Sequence, residues 1–184
     1  MKVKRKLIIL GPSDKTKPMR FGNILNYDSW IDELAVLSRK YFQEVIFIPD
    51  AGVYVDFAIK FKDLGGKITA IIPDESEPSI KNALRYTKKW KKIEKGWGWS
   101  FLNTHIVGES DYSLCLGFSA GSILEVLSAK YINKYENRDL TIFIDRRSVS
   151  EPLHKEIHHE IRNIHYFNSS SELEKLFSDL LPIK

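Results

Sequence analysis

At 184 residues, 43% hydrophobic and 28% charged, the chain has the size and makeup of one globular domain that buries a core without disulfides or a structural metal. A net charge of +4 falls short of a dedicated nucleic-acid binder and argues against nucleic acid as the partner. No stretch reaches the roughly 18 apolar residues of a membrane span. The basic opening Met1 to Lys6 is followed only by the apolar run Leu7 to Leu10, too short for an export signal. With a single cysteine, Cys115, inside an apolar segment, a reducing cytoplasmic setting and an inert thiol are expected.

Taken in order, Lys6 to Gly11 reads as a first strand closed by Gly-Pro-Ser, and a loop follows. Asn26 to Tyr41 places Trp30, Ile31, Leu34, Leu37 and Tyr41 near helical spacing, with Asp28 or Ser29 as the candidate cap. Val45 to Ile48 is a second buried strand, ended by Pro49-Asp50. Ala51 to Leu64 presents Val53, Phe57, Ala58 and Phe61 on one helical face and stops at Gly65-Gly66; Lys67 to Pro73 is the third strand. A helix is predicted from Pro78 to about Trp90. A strand from Tyr112 to Leu116 then breaks at Gly117 and gives way to a helix carrying Ile123, Val126, Leu127 and Tyr131. Later elements are a strand at Leu140 to Ile144, a histidine-bearing helix at Pro152 to Ile161, a strand at His165 to Phe167, and a closing amphipathic helix, Ser169 to Leu181, with Ser171 and Glu174 spaced as a capping box.

Apolar strands alternating with helices predict an α/β fold: a three-layer, Rossmann-like, doubly wound and mostly parallel sheet within a single domain spanning residues 1–184. Ligands bind such sheets past the carboxyl ends of the strands. That rule collects Gly11, Ser13, Gly52 and Pro73 near the turn Gly117-Phe118-Ser119-Ala120-Gly121-Ser122. Small residues there let a ligand approach the backbone, and the amides and dipole of a new helix favour an anion. The candidate ligand-binding residues are therefore Gly11, Ser13, Gly52, Pro73, Phe118, Ser119, Ala120, Gly121 and Ser122, for a nucleotide or related phosphorylated small molecule.

Two stretches carry a family resemblance. Residues 51 to 73, with Gly52, the helix after it, Gly65-Gly66, a strand and Ile72-Pro73, resemble the Gly-Leu-Met-Gly helix, Gly-Gly, strand and Ile-Pro of the LOG-like nucleotide-binding family, also labelled lysine decarboxylases, within the SLOG superfamily. Ser119-Ala120-Gly121-Ser122-Ile123-Leu124-Glu125 resembles the end of its PGGxGTxxE motif, with Gly121, Ser122 and Glu125 on the motif's last glycine, threonine and glutamate. The resemblance implies a Rossmann-like fold, a nucleotide ligand, release of a base by N-glycosidic hydrolysis, and a homodimer. It also implies a catalytic role for Glu125, at the ribose or a developing oxocarbenium ion. Enzymatic members pair this glutamate with an upstream arginine, which aligns near Leu102-Asn103, where no arginine occurs between Leu102 and Leu116. Gly117-Phe118-Ser119 stands for Pro-Gly-Gly and Pro49-Asp50-Ala51 for consecutive glycines. The expectation is a divergent member whose phosphoribohydrolase activity is altered or absent.

Other readings share these residues. Ser122-x-x-Glu125 is itself a capping-box pattern that would account for Glu125 without chemistry. Gly117-Phe118-Ser119-Ala120-Gly121 also matches G-x-S-x-G, the nucleophile elbow, and resembles turns of small serine peptidases of the peptidase E type. In that alternative Ser119 is the nucleophile of a small serine hydrolase, with Asp145 and one of His154, His158, His159 or His165 completing a triad. His154 and His158 share a helical face, but without H-E-x-x-H or a third ligand no metal is assigned, and no cofactor is indicated. Lys88-Lys89-Trp90-Lys91-Lys92 with Trp97 and Trp99 interleaves cations and rings; it reads as a charged helix face, with Trp97 or Trp99 a candidate cover for the ligand.

Overall fold

In the computed structural model, residues 5–74, 91–94 and 96–181 are described, 92–94 through the backbone. Strands β1 (Lys6–Leu10), β2 (Glu44–Phe47), β3 (Lys67–Ile72), β4 (Lys91–Glu94), β5 (Tyr112–Cys115), β6 (Thr141–Asp145) and β7 (Ile164–Phe167) form one sheet in the order β4-β3-β2-β1-β5-β6-β7. Every neighbouring pair is parallel; β1 aligns Leu7 with Val45 of β2 and Ile9 with Leu114 of β5. The order reverses direction between β1 and β5, the switch point beyond whose carboxyl ends such sheets bind their ligands.

Period-two alternation sends successive side chains to opposite faces and builds two cores. Leu7 and Ile9 point into one with Val45, Phe47 and Leu114; α2 (Tyr27–Tyr41), α3 (Val53–Asp63) and α7 (Ser170–Leu180) cover it through Trp30, Leu34, Phe57, Phe61 and Phe177. Ile8 and Leu10 point into the other, with Cys115, Ile142 and Ile144. This face is covered by α4 (Trp99–His105), the 3-10 turn Ile106–Glu109, α5 (Ala120–Tyr135) and α6 (Lys155–Glu160). A fully buried Phe or Leu contributes about 1.5–3 kcal/mol relative to its exposed state, and most residues of both cores are under 5% exposed. The doubly wound α/β architecture is thus as the strand pattern predicts.

Element boundaries shift in ways that matter for the site. Asn26 caps α2, its side chain accepting from Ser29 N at 3.0 Å, where Asp28 or Ser29 was expected. Ser169 caps α7 through Glu172 N at 3.2 Å, two residues before the predicted Ser171 box. The loop after β1 holds a short helix, α1 (Lys17–Phe21), with Pro18 in its first turn. β4 and α4 arise where no regular element was predicted. The helix predicted from Pro78 to Trp90, with Lys88, Lys89 and Trp90 of the basic patch, lies outside the described residues. Among the described residues no helix is long and apolar enough to cross a membrane.

Candidate functional site

The crevice is lined by the first residues after β1 and β5. Leu116 N donates to Leu10 O at 2.9 Å and extends the pairing to the last residue of β1. Beyond it Gly117 adopts φ 129°, and a Cβ there would sit 3.1 Å from Pro12 Cδ. Glycine is required by both the backbone conformation and the contact. The loops at 11–13 and 117–122 therefore touch.

From Gly117 the chain turns into α5. Ser119 is its N-cap: its side chain accepts from Ser122 N at 3.2 Å, while Ser119 N donates to Ser122 Oγ at 2.7 Å, a reciprocal capping box. The Ser122 hydroxyl also donates to Gly117 O at 3.1 Å, tying the strand end to the helix start. The box expected at Ser122 and Glu125 is thereby corrected: the helix begins at Ala120, three residues upstream, so Glu125 lies in the second turn and caps nothing. Ser119 engages one first-turn amide; those of Ala120 and Gly121 have no acceptor within the helix. The first turn carries no acidic residue to offset the positive dipole end. Ala120 is exposed, Phe118, Ser119 and Gly121 are half-buried, and Ser122 is buried.

Opposite stands the start of α3. Gly52, its N-cap, has φ 71°, and a Cβ there would fall 2.3 Å from Ser13 O and 2.7 Å from Pro12 O. Val53 N donates to Pro12 O at 3.2 Å. Gly11 packs on the same helix, its Cβ position 3.5 Å from Val53 Cβ. Tyr54, in the first turn of α3, is buried at 9% exposure and hydrogen-bonds the Ser13 side chain. Burial first, then the nearby Asp50 and Glu125, push the Tyr54 phenol above its ordinary pKa. Asp50, half-buried, has its carboxyl raised by desolvation.

Glu125 links the two helix starts. It is 4% exposed, its Oε2 is buried with no hydrogen-bond partner, and burial pushes its carboxyl up to about 8. A buried polar atom left unsatisfied costs about 1–3 kcal/mol and calls for an explanation. Asn103, on α4, approaches from the third side: its Nδ2 lies 3.7 Å from where a Gly121 Cβ would be. An uncharged amide thus stands near the position where the LOG-like pattern has its arginine.

Gly11, Ser13 and Gly52 lie in loops that pack together, Gly117 joins them through Pro12, and Phe118, Ser119, Ala120, Gly121 and Ser122 follow at the start of α5. Pro73 lies farther along the same sheet edge, next to the strand that leads to Gly52. It is buried at the end of β3, two strands from β1 and so about 10 Å across the sheet. Tyr54 had no assigned role in the sequence, its position beside Gly52 on a buried helical face being the available signal; Asn103 was marked only as the place where the arginine of the LOG-like pattern aligns.

The Ser119 hydroxyl has hydrogen bonds only to Ser122 among the described residues, and none to a histidine. Asp145, offered as the triad acid, is fully buried and accepts from Trp30 Nε1 at 2.8 Å and from Arg147 Nε and NH2 at 3.0 and 2.8 Å, which clamps β6 to α2. His154, His158 and His159 are exposed at α6, and His165 lies on β7. No cluster of three metal-binding side chains occurs among the described residues. Trp97 packs against Phe101, ring centroids 5.1 Å apart, and its carbonyl accepts from Asp74 N at 2.8 Å.

No family model and no curated relative matches the sequence. Among solved structures, the molybdenum cofactor carrier protein of Chlamydomonas reinhardtii is similar, with a TM-score of 0.68 at 16% identity over 97% of this chain and 99% of the other. The molybdenum cofactor binding protein of the phototrophic bacterium Rippkaea orientalis gives 0.63 at 16% identity, covering 97% and 98%. DNA processing protein A of Streptococcus pneumoniae gives 0.53 at 13% identity, covering 92% of this chain and 60% of that one. At these identities the shared property is the architecture. The chain has the Rossmann-like α/β fold of these proteins, and among the described residues its loops past β1, β2 and β5 converge on one crevice.

Proposed function

We propose that the protein binds a nucleotide or related phosphorylated small molecule in the crevice between β1 and β5, its phosphate on the first turn of α5. The observation that carries this reading is the pairing of an uncompensated helix start, with the Ala120 and Gly121 amides left over, and a buried Glu125 carboxyl whose Oε2 has no partner. Helix amides supply donors for phosphate, and the glycines at 11, 52 and 117 let the loops that carry them pack closely beside that helix start. The SLOG superfamily is consistent with the neighbours' architecture, and the LOG-like resemblance favours a nucleoside monophosphate. The neighbours named for the molybdenum cofactor make that cofactor a second ligand to test.

Phosphoribohydrolase activity is altered or absent in this reading. Stabilising the developing charge of glycosidic cleavage calls for an ionised glutamate, and the cation that accompanies it in the family pattern is replaced by the neutral Asn103. Ser119 serves as the cap of α5 and a contact to the ligand; as a nucleophile it lacks a base to take its proton.

A homodimer agrees with an outer groove of about 730 Å³ between α4, α5 and α6, where Leu124, Tyr131 and Tyr135 are exposed. Light scattering on the eluting protein reads its mass directly. The cytoplasm is the proposed setting, because Cys115 is buried and unpaired.

The deciding experiment is a thermal-shift panel of nucleoside mono-, di- and triphosphates, ribose 5-phosphate and molybdenum cofactor, followed by chromatography for released base. A ligand at 100 times its dissociation constant adds about 2.7 kcal/mol of stability. A shift with nucleotide and no base release is the expected result. Fluorophosphonate labelling that disappears in Ser119→Ala would favour the hydrolase instead.

A further inference from the structure

Glu125 poses a chemical problem that an anion site must solve. Its Cα lies one turn past Gly121, about 6 Å along the helix axis. Side chains on a helix lean toward its N-terminus, so the carboxyl extends back beneath the first turn, where the anion would sit. A carboxylate there would repel the ligand across a medium too dry to screen it.

Among the described residues, the groups that interact with Glu125 include no cation. Tyr54 reaches it from α3 and Cys115 from β5, and Asp50 approaches the same tyrosine from the β2–α3 connection; all of these are acids. Oε2 has no donor or acceptor from the described residues.

Resting on the crevice reading above, we propose that Glu125 determines ligand specificity as a neutral carboxyl, donating its proton to an oxygen of the bound anion in place of accepting from a hydroxyl. The ligand is then one that offers an acceptor oxygen at the floor of the crevice, as a phosphoryl or carbonyl group does, and the ionised form of Glu125 excludes it.

Burial alone holds this carboxyl up to about 8, so it is mostly protonated at neutral pH. Cys115 is pushed to about 12 and Tyr54 above its ordinary value, so neither changes charge between pH 7 and 9.

The test is calorimetric titration with inorganic phosphate and with adenosine monophosphate at pH 7 and 9, for the wild type and Glu125→Gln. Wild-type affinity for both probes is expected to fall about tenfold across that interval, following the protonated fraction of a group near 8. Phosphate gains negative charge over the same range, which would tighten binding at a purely cationic site. Glu125→Gln keeps a donor without a titrating proton, so its affinity at pH 7 is expected within about twofold of wild type and flat to pH 9. Wild-type affinity that does not fall, a fall that persists in Glu125→Gln, or loss of binding in Glu125→Gln at pH 7 each overturns the proposal while leaving the crevice as the ligand site. Failure of the wild type to bind either probe at either pH overturns the crevice reading and this proposal together.

Discussion

Two helices begin side by side at the crevice, and they are finished differently. At α3 the N-cap is Gly52 in a left-handed conformation, no side chain caps the helix, and the first turn carries Asp56, which accepts from Tyr27 Oη at 2.8 Å. Its first amide is already spent on Pro12 O. At α5 the cap is a pair of serines, the first turn has no acid, and the Ala120 and Gly121 amides have no acceptor within the helix. An acid in the first turn offsets the helix dipole, so α3 has little left to offer an anion while α5 has its full end charge. The start of α3 is built for close packing, while that of α5 keeps the amides the proposed ligand would use, a distinction invisible if both are read simply as glycine-rich turns.

Substitutions that separate packing from binding sharpen this contrast. Gly52→Ala should have the largest effect, because it strains a left-handed backbone and drives a Cβ to 2.3 Å from Ser13 O; a loss of about 2–4 kcal/mol in denaturant unfolding is expected, with binding lost only through the fold. Glu125→Gln should raise stability. The folded carboxyl is raised from 4.5 to about 8, so the folded state holds the proton longer than the unfolded chain does. The stability tied to that proton is full below about pH 4.5 and is lost as pH rises through about 8. The melting temperature of the variant should therefore exceed that of the wild type by more at pH 8 than at pH 5. Ser119→Ala removes the cap of α5 and should cost about 1 kcal/mol. Gly121→Asp should change stability least, within about 0.5 kcal/mol, because its Cβ meets nothing nearer than 3.7 Å and an acid suits a helix first turn. That substitution nevertheless places a carboxylate where the anion binds, so it should abolish binding of phosphorylated probes in a folded protein.

The strands were the most legible elements, because a sheet covered on both faces requires nearly continuous apolar runs such as Leu7 to Leu10. β4 escaped for the converse reason: it is an edge strand, Lys91-Lys92-Ile93-Glu94, and edges carry charge that masks the pattern. The turn at 117–122 and the loops at Gly11 and Gly52 were legible because small residues directly after strands have few other uses. Pro73 follows β3, which pairs with β2, so strand order sets it beside the Gly52 loop and one strand farther from Gly11, a distance that pairwise patterns do not encode. The cap was misread because two serines can satisfy each other as Ser119 and Ser122 do, without the glutamate that the motif leads one to seek. Burial of Glu125 depends on α3 and β5 closing over it, a tertiary fact with no local sequence signature.

The central claim is that the first turn of α5 holds an anionic ligand. The direct measurement is the thermal shift produced by adenosine monophosphate in the wild type and in Gly121→Asp at pH 7. A shift in the wild type that vanishes in a variant of unchanged melting temperature is the predicted result. A shift of equal size in both proteins, or none in the wild type, would contradict it.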